Sequence, residues 1–363
     1  MKNKEPLIRV VKRGNLPWYG ALAIRIGAIV LALLLCGIVT AAFTGYNPLE
    51  VYGTMVKGAF GSARKSWVTF QNVAVLLIVS LAVTPAFRMR FWNIGAEGQV
   101  LVGCLAASAC MITLADKLPN AVIMVLMTVS ALAAGAIWGL IPALFRARWN
   151  TNETLFTLMM NYVATQLVAY FVIVWEAPKG SGTIGIINQS TEIGWMALGN
   201  KYLLTILVAA ALTVFMYIYL KYTKHGYEIS VVGESERTAR YVGINVKKVV
   251  IRTMLLSGAI CGAAGLLLSG AINHTLTTSL AGGRGFTAVM VAWLAKFNPF
   301  VMILSSLLLV FMDRGAGEIT SVFALNQSYG DILTGIILFF IIGCEFFIRY
   351  RITFRKKAIK EGK

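Results

Sequence analysis

The sequence predicts an all-α fold, a polytopic transmembrane helix bundle with about ten membrane segments. Hydrophobic residues make up 58% of the 363 residues and charged residues only 13%, whereas soluble domains contain about 25% charged residues. Apolar runs of about 20 residues, the length that spans a bilayer as a helix, recur along the chain. The basic residues are concentrated in the short stretches between these runs. Together these observations predict that the chain forms one membrane domain.

The apolar runs define the predicted helices. Eight runs are of membrane-spanning length. A ninth run, 299–313, is short, and a tenth, 285–297, is shorter still and contains Trp293 and Lys296. Ten crossings are predicted if both span the membrane; eight crossings remain if 285–313 forms a re-entrant hairpin. The first run follows basic residues, as a signal peptide does, but it exceeds the usual apolar core of about 7–15 residues and is predicted to be retained. The eight longer runs are 20–43, 67–87, 94–115, 121–145, 153–175, 201–221, 251–272 and 329–348.

The distribution of Lys and Arg predicts the orientation. With the N-terminus in the cytoplasm and ten crossings, the cytoplasmic stretches and their boundaries hold 24 of the 33 basic residues, as the positive-inside rule requires. Both termini are then cytoplasmic, and the chain is a multi-pass protein of the cytoplasmic (inner cell) membrane, surrounded by the lipid bilayer. The predicted parts are a cytoplasmic N-terminal segment 1–19, a transmembrane domain 20–348 with an inside loop 222–250, and a basic cytoplasmic tail 349–363.

The composition excludes several classes of function. The net charge of +18 is spread over short loops, so no basic domain could lie along a duplex and no nucleic-acid partner is expected. The five cysteines lie in apolar segments without a CxxC pair, which predicts helix packing and neither a disulfide nor a metal site.

The most informative segment is Phe-Trp-Asn-Ile-Gly-Ala-Glu-Gly-Gln at 91–99, between two apolar runs. A carboxylate in a membrane segment is costly, by about 2.5 kcal/mol or more, and is expected to face protein or water. One interpretation is helix packing through the glycines, with Glu97 paired to Arg88 or Arg90. The other is a wall or gate of a solute pathway, in which polar side chains hydrogen-bond a ligand and Phe91 or Trp92 stacks on it.

A second polar segment, 152–161, opens the run 153–175. Asn152 is predicted to cap this helix, and Glu153 suits the positive end of its dipole. Thr154, Thr157 and Asn161 recur every three or four residues and therefore form a polar stripe on one helix face. Such a stripe either bonds a neighbouring helix or lines a pore.

The inside loop 222–250 is the longest predicted cytoplasmic connection. Residues 234–242 have mixed charges and are predicted to form a short helix that ends at Gly243. A solvated loop is one interpretation. The other is a coupling helix that docks on a cytoplasmic partner and transmits motion to the membrane helices; its candidate residues are Gly233, Glu234, Arg237, Arg240 and Gly243.

No segment carries an enzyme's machinery. Gly-Gly-Arg-Gly-Phe at 282–286, preceded by Asn273 and His274, lacks the Gly-Lys-Ser/Thr ending of a nucleotide-binding loop. We find no catalytic or metal-ligand cluster, so the chain is predicted not to be an enzyme and to bind no cofactor or metal. Energy for transport would come from another chain or from an ion gradient.

Several motifs, in order, carry a family resemblance that covers about 45–350. The chain resembles the larger permease of bacterial ABC importers for nucleosides and simple sugars, within the ribose and branched-chain amino-acid permease group. The first motif is the most specific of the set. The motifs are Asn-Ile-Gly-Ala-Glu-Gly-Gln at 93–99, Asn-Glu-Thr-Leu and Met-Met-Asn-Tyr within 152–162, Arg-Tyr-Val-Gly-Ile-Asn at 240–245, Ser-Gly-Ala at 257–259, Gly-Phe at 285–286 and Asn-Pro at 298–299.

The resemblance implies a partnership and a mechanism. The partners would be a cytoplasmic ABC ATPase that binds ATP and Mg²⁺, a second, smaller permease that completes a heterodimer, and a substrate-binding lipoprotein or periplasmic protein. The expected mechanism is alternating access, with nucleosides as substrate and simple sugars second. The rival is an ion-coupled secondary carrier that acts without an ATPase and uses Glu97 as its proton site. The expected substrate pathway comprises Phe91, Asn93, Glu97, Gln99, Asn161 and Asn273.

Overall fold

A computed structural model describes residues 8–14, 17–115 and 117–354. The predicted segment 1–19 and tail 349–363 therefore lie partly outside the described residues. Within them the chain is mostly helical with almost no sheet, which confirms the predicted all-α membrane bundle. In chain order the elements are β1 (Ile8–Lys12), α1 (Trp18–Thr44), α2 (Pro48–Phe60), α3 (Ala63–Arg88), α4 (Ala96–Leu114), α5 (Asn120–Trp149), α6 (Glu153–Trp175), α7 (Leu203–Tyr222), α8 (Lys224–Glu234), α9 (Glu236–Tyr241), α10 (Val246–Leu267) with a π-helical turn (Leu268–Asn273), α11 (Arg284–Leu294), α12 (Pro299–Val322), α13 (Gln327–Arg349) and β2 (Tyr350–Phe354).

Nine helices of the described chain are long and apolar enough to cross a membrane. They correspond to the eight longer predicted runs and to the ninth, whose helix α12 continues to Val322 rather than ending near 313. The tenth run forms α11, whose 11 residues extend only about 16 Å and do not reach across a hydrocarbon core of about 30 Å. The ten predicted membrane segments therefore comprise nine long helices and one short one.

The chain divides into two compact units. The central unit is Ser66–Val310, and the terminal unit combines the described residues before it with those after it. The membrane domain predicted over 20–348 includes residues of both units.

The terminal unit brings the two ends of the described chain together. Strands β1 and β2 pair antiparallel, from Ile8 with Phe354 to Lys12 with Tyr350. Between α1 and α13, the Tyr329 hydroxyl donates to Thr40 Oγ1 at 2.6 Å. Because the two strands pair, both lie on the same side of a membrane.

The central unit is packed around small residues. Gly258 of α10 and Gly135 of α5 meet so closely that a Cβ on either one would overlap the backbone of the other, and Gly262 meets Ala131 in the same way. Interfaces of this kind stabilise membrane proteins because small side chains let helix backbones approach. Helices α4, α5 and α10 consequently form a closely packed core next to the broken segments described below.

Residues 176–199, between α6 and α7, are folded onto one end of this core. The Trp195 ring stacks on His274, with ring centroids 3.9 Å apart, and Ile187 is buried among Met111, Met127 and their neighbours. The Ile187 N–H also donates to the His274 carbonyl at 2.7 Å. This loop, the capping loop (176–199), therefore packs against the core and does not extend freely into solvent.

Candidate functional site

The segment between α3 and α4 is a break in the helical path through the central unit. Helix α3 ends at Arg88, and Arg90 takes the left-handed conformation, with φ 61°. Helix α4 begins only at Ala96. A break of this kind leaves backbone N–H and C=O groups without helical partners, and inside a membrane protein they must be satisfied by other groups.

Helix α6 supplies hydrogen-bond partners for one side of the break. The Asn161 carboxamide accepts from the Gly98 N–H at 2.9 Å and donates to the Ile94 carbonyl at 2.9 Å. One turn earlier, Thr157 Oγ1 accepts from the Ile94 N–H at 3.2 Å. Two residues of the polar stripe predicted on this helix, Thr157 and Asn161, therefore hydrogen-bond the break.

Helix α10 holds the break from another side through Asn93, which is completely buried. Its Oδ1 accepts from the Gly95 N–H at 3.1 Å and from Gln99 Nε2 at 3.4 Å, and its Nδ2 donates to Ser257 Oγ of α10 at 3.3 Å. The Gln99 Oε1 atom is buried and has no hydrogen-bond partner within the described part of the chain.

Glu97 connects the break to a second one, the turn that precedes α11. Its Oε1 accepts from the Gly283 N–H and its Oε2 from the Gly285 N–H, both at 2.7 Å. These N–H groups lie at the N-terminus of α11, where the helix dipole favours a negative charge. Arg88 or Arg90 was the partner expected for Glu97 from the sequence. In the structure the Glu97 carboxylate instead accepts from backbone groups about 190 residues away.

Arg284, the residue after Gly283, connects the same turn to α3 by a hydrogen bond. Arg284 Nη2 donates to Asn72 Oδ1 at 2.9 Å, and its Nη1 donates to the Ala281 carbonyl at 3.1 Å. Sequence reasoning missed Asn72, because a single Asn in an apolar run does not indicate its partner. The two breaks are thus held by α3, α6 and α10 as well as by each other.

An aromatic cluster lies beside the first break. Phe91 is only 4% exposed, whereas Trp92 is 45% exposed. The Trp92 and Trp293 rings stack with centroids 5.7 Å apart, and Phe87 meets Trp92 edge-on. Of the two aromatic residues named for stacking, Trp92 is therefore the one whose ring is accessible.

Asn273 lies apart from the other predicted pathway residues. It ends the π-helical turn and donates to the Leu268 carbonyl at 3.1 Å. It is 16 residues from Ser257, about 24 Å along the helix axis. The structure thus gathers Asn93, Glu97, Gln99 and Asn161 around one break and places Asn273 near the capping loop.

The inside loop forms two short helices where the sequence predicted one at 234–242. Helix α8 packs through Gly233, where a Cβ would overlap the Arg88 carbonyl. Helix α9 begins after Ser235, and Gly243 follows its end with φ 83°. Glu234 is exposed at the end of α8.

Helix α9 is anchored on one side and open on the other. Ala239 is buried, and Arg146 at the end of α5 bridges Glu236 at 3.8 Å and Glu153 at 3.4 Å. Arg237, Arg240 and Tyr241 are exposed, Tyr241 to 92%. An aromatic side chain beside two arginines, left in solvent on an anchored helix, is typical of a protein-docking surface.

Comparison with known families identifies the chain. The model of the family described as branched-chain amino acid transport system / permease component matches residues 69–342, which is more than half of the chain. The chain belongs to this permease family. It is therefore an integral, multi-pass membrane protein, consistent with its nine long apolar helices. Both breaks, the aromatic cluster and α9 lie inside the matched range.

Three relatives match this permease over most of its length. The glucose ABC transporter permease protein TsgB13 of Haloferax volcanii is 29% identical and covers 89% of this chain and 88% of its own. The guanosine ABC transporter permease protein NupP of Bacillus subtilis is 29% identical, with 86% and 91% covered. The nucleoside ABC transporter permease protein NupB of Lactococcus lactis subsp. cremoris is 28% identical, with 92% and 93% covered. In each of these organisms a second permease, named for the same compound, also matches 64–68% of this chain.

Proposed function

We propose that this permease forms the translocation pathway of an ATP-binding cassette importer for nucleosides, with simple sugars as the second substrate class. The observation that carries the proposal is the family match over 69–342, together with relatives named for guanosine, nucleosides and glucose. Transport would take place across the cytoplasmic membrane, by alternating access.

The proposed pathway runs along the two breaks. Helical interruptions inside a membrane protein occur where they line a cavity or a solute path. Glu97 joins the breaks, so a shift of α11 would be passed directly to the start of α4. Phe91, Asn93, Gln99, Asn161 and Asn273 remain candidate pathway residues. The amide groups of Asn93, Asn161 and Asn273, which bond backbone groups in this state, would become accessible to solute hydroxyl groups in another.

The proposed energy source is a separate cytoplasmic ABC ATPase that binds ATP and Mg²⁺. Helix α9, with the neighbouring Gly233, Glu234 and Gly243, offers its docking surface: Arg237, Arg240 and Tyr241 are exposed, and Arg146 connects the helix to α5 and α6. The other proposed partners are a second, smaller permease, supported by the paired permeases among the relatives, and a substrate-binding lipoprotein or periplasmic protein.

Uptake of labelled nucleoside tests the proposal. Cells that produce the permease with its partners should lose uptake when the ATPase is removed and should keep it when an uncoupler dissipates the proton gradient. Uptake that persists without the ATPase and collapses with the uncoupler would instead favour an ion-coupled carrier with Glu97 as its proton site.

A second experiment tests the docking surface. Arg237→Glu combined with Arg240→Glu and Tyr241→Ala should reduce recovery of the ATPase with the purified permease and reduce uptake in parallel. The matched control is Lys117→Glu with Lys179→Glu, two exposed lysines in loops predicted on the opposite face, which should change neither. Unchanged recovery of the ATPase with the first variant would remove α9 from the interface.

A further inference from the structure

Three cationic side chains from separate segments meet in one cavity of the central unit. Arg88 comes from α3, Lys221 from α7 and Lys296 from the turn between α11 and α12, and they line a cavity of about 320 Å³. Tyr217, Phe297 and Asn298 also line it, and none of the described lining residues is acidic. A cavity with several positive charges and no carboxylate among its lining residues favours an anionic ligand.

The cavity lies where membrane helices end. Arg88 is the last residue of α3, Lys221 is next to the last residue of α7, and Pro299, another lining residue, begins α12. The Tyr217 and Phe300 rings lie 5.0 Å apart, and Lys221 Nζ lies 5.2 Å from the Tyr217 ring. Tyrosine and lysine at helix ends are typical of the boundary between hydrocarbon and headgroups.

The backbone adds to the positive potential of the cavity. Helix α12 points its N-terminus at the cavity through Pro299, and the positive end of the helix dipole favours a negative charge there. Lys296 and Phe297 both take the left-handed conformation, with φ 50° and 61°. Two successive non-glycine residues in this conformation are unfavourable unless their surroundings hold them there, and here they bring both side chains to the cavity wall.

An apolar surface adjoins the cavity along the same two helices. Ile218 and Val214 of α7 are each 49% exposed, and Phe300 and Leu304 of α12 are 49% and 69% exposed. Exposed apolar side chains on membrane-spanning helices are suited to contact with lipid acyl chains. A ligand that fills the cavity with a phosphate could therefore lay acyl chains along α7 and α12.

We propose that this cavity binds the headgroup of an anionic phospholipid. The three cations and the α12 N-terminus would hold the phosphate, and the exposed faces of α7 and α12 would hold the acyl chains. A free phosphate shares the headgroup chemistry but makes no use of the apolar surface. Basic pockets between membrane helices on the cytoplasmic side are suited to such lipids, and the Lys and Arg distribution predicts that these helix ends are cytoplasmic.

Native mass spectrometry of the full-length permease in detergent tests the proposal. Phosphatidylglycerol should be retained more tightly than phosphatidylcholine with the same acyl chains. Lys221→Gln with Lys296→Gln should weaken phosphatidylglycerol binding about 10- to 30-fold, since each basic residue near a membrane surface contributes on the order of 1 kcal/mol. Lys201→Gln is the matched control, because Lys201 lies at the other end of α7 with its Nζ 5.3 Å from the Tyr202 ring. This variant should bind phosphatidylglycerol as tightly as the wild type does.

Two further measurements distinguish a lipid site from a free-anion site and lost charge from lost folding. Lys221→Arg with Lys296→Arg keeps both charges and should retain the lipid, which distinguishes lost charge from lost folding. Glycerol 1-phosphate and inorganic phosphate should compete only weakly. Competition as strong as that of phosphatidylglycerol would assign the cavity to a free anion and overturn the lipid site. Equal retention of the two lipids, or undiminished binding by the glutamine variant, would also overturn the proposal.

Discussion

Gly285 lies against the backbone of Glu97 and donates its N–H to the Glu97 carboxylate at 2.7 Å. The contact joins the first turn of α11 to the first turn of α4, and a Cβ at position 285 would overlap the Glu97 backbone. The two broken segments therefore share one joint, in which a charged side chain and a close backbone approach act together.

Glu97→Gln should impair uptake without reducing the amount of permease in the membrane. The substitution keeps the size of the side chain but replaces one acceptor oxygen by an NH₂ group, so the N–H of Gly283 or Gly285 loses its acceptor. Hydrogen bonds to charged groups contribute about 1.5–3 kcal/mol each. Labelled-nucleoside uptake, normalised to permease measured in membranes, should fall at least tenfold; full uptake would contradict the role of this joint in transport.

Gly262→Val should reduce the amount of folded permease. Position 262 meets the backbone of Ala131 so closely that a Cβ would overlap it, and a backbone cannot move aside as a side chain can. Overpacking costs about 1–3 kcal/mol or more. Gly335→Val is the matched control, because a Cβ at Gly335 of α13 meets nothing within 4 Å. Size-exclusion chromatography of solubilised membranes should show a loss for the first variant only.

The capping loop 176–199 should dock less tightly at acid pH. Burial lowers the pKa of His274 below its usual value of 6.5, and the nearby Glu192 carboxylate offsets only part of this effect. Below pH 6.5 His274 takes up a proton when the loop is undocked but not when the loop covers it, so docking is favoured above pH 6.5 and weakens as the pH falls. Hydrogen exchange at 187–196 should therefore be faster at pH 5.5 than at pH 7.5, after correction for the intrinsic rates.

His274→Phe provides the control for that measurement. Phenylalanine keeps a ring that can stack on Trp195 but cannot take up a proton. The difference in protection between the two pH values should disappear in this variant. If it persists, the pH dependence arises from another group.

The orientation can be tested with single cysteines in a background that lacks the five native ones. Ser181 lies in the capping loop and Val242 follows α9, and both are exposed. An impermeant thiol reagent on intact cells should label a cysteine at 181 and should reach one at 242 only after permeabilisation. The opposite result would reverse the predicted sides of the membrane.

The helices were predictable because apolar runs of membrane-spanning length are a strong local signal. The end of α12 was not, because Asp313, Arg314 and Glu318 interrupt the run. The helix continues through them in the terminal unit, where Glu318 accepts from Lys65 Nζ at 2.7 Å. A charge that has a partner within the protein does not end a helix, but the sequence does not reveal that partner.

The polar residues of the site were predictable, but their partners were not. The free-energy cost of a carboxylate inside a membrane indicated that Glu97 has a partner. Arg88 and Arg90 were suggested because they are close in sequence. The actual donors are backbone groups, which have no side-chain signature. Trp293 was visible in the short tenth run, yet only the fold brings it onto Trp92. Helix α8 could have been predicted from Ile229 and Val232, two apolar residues at helical spacing, both of which are buried.

The pairing of β1 with β2 determines an order of events during synthesis. The ribosome makes β1 before every described helix and β2 after all of them, so the two strands can meet only when translation has passed residue 354. The central unit has all of its residues available earlier, before α13 has been made. A chain that stops prematurely after Val310 would therefore keep the central unit and leave β1 without its partner strand.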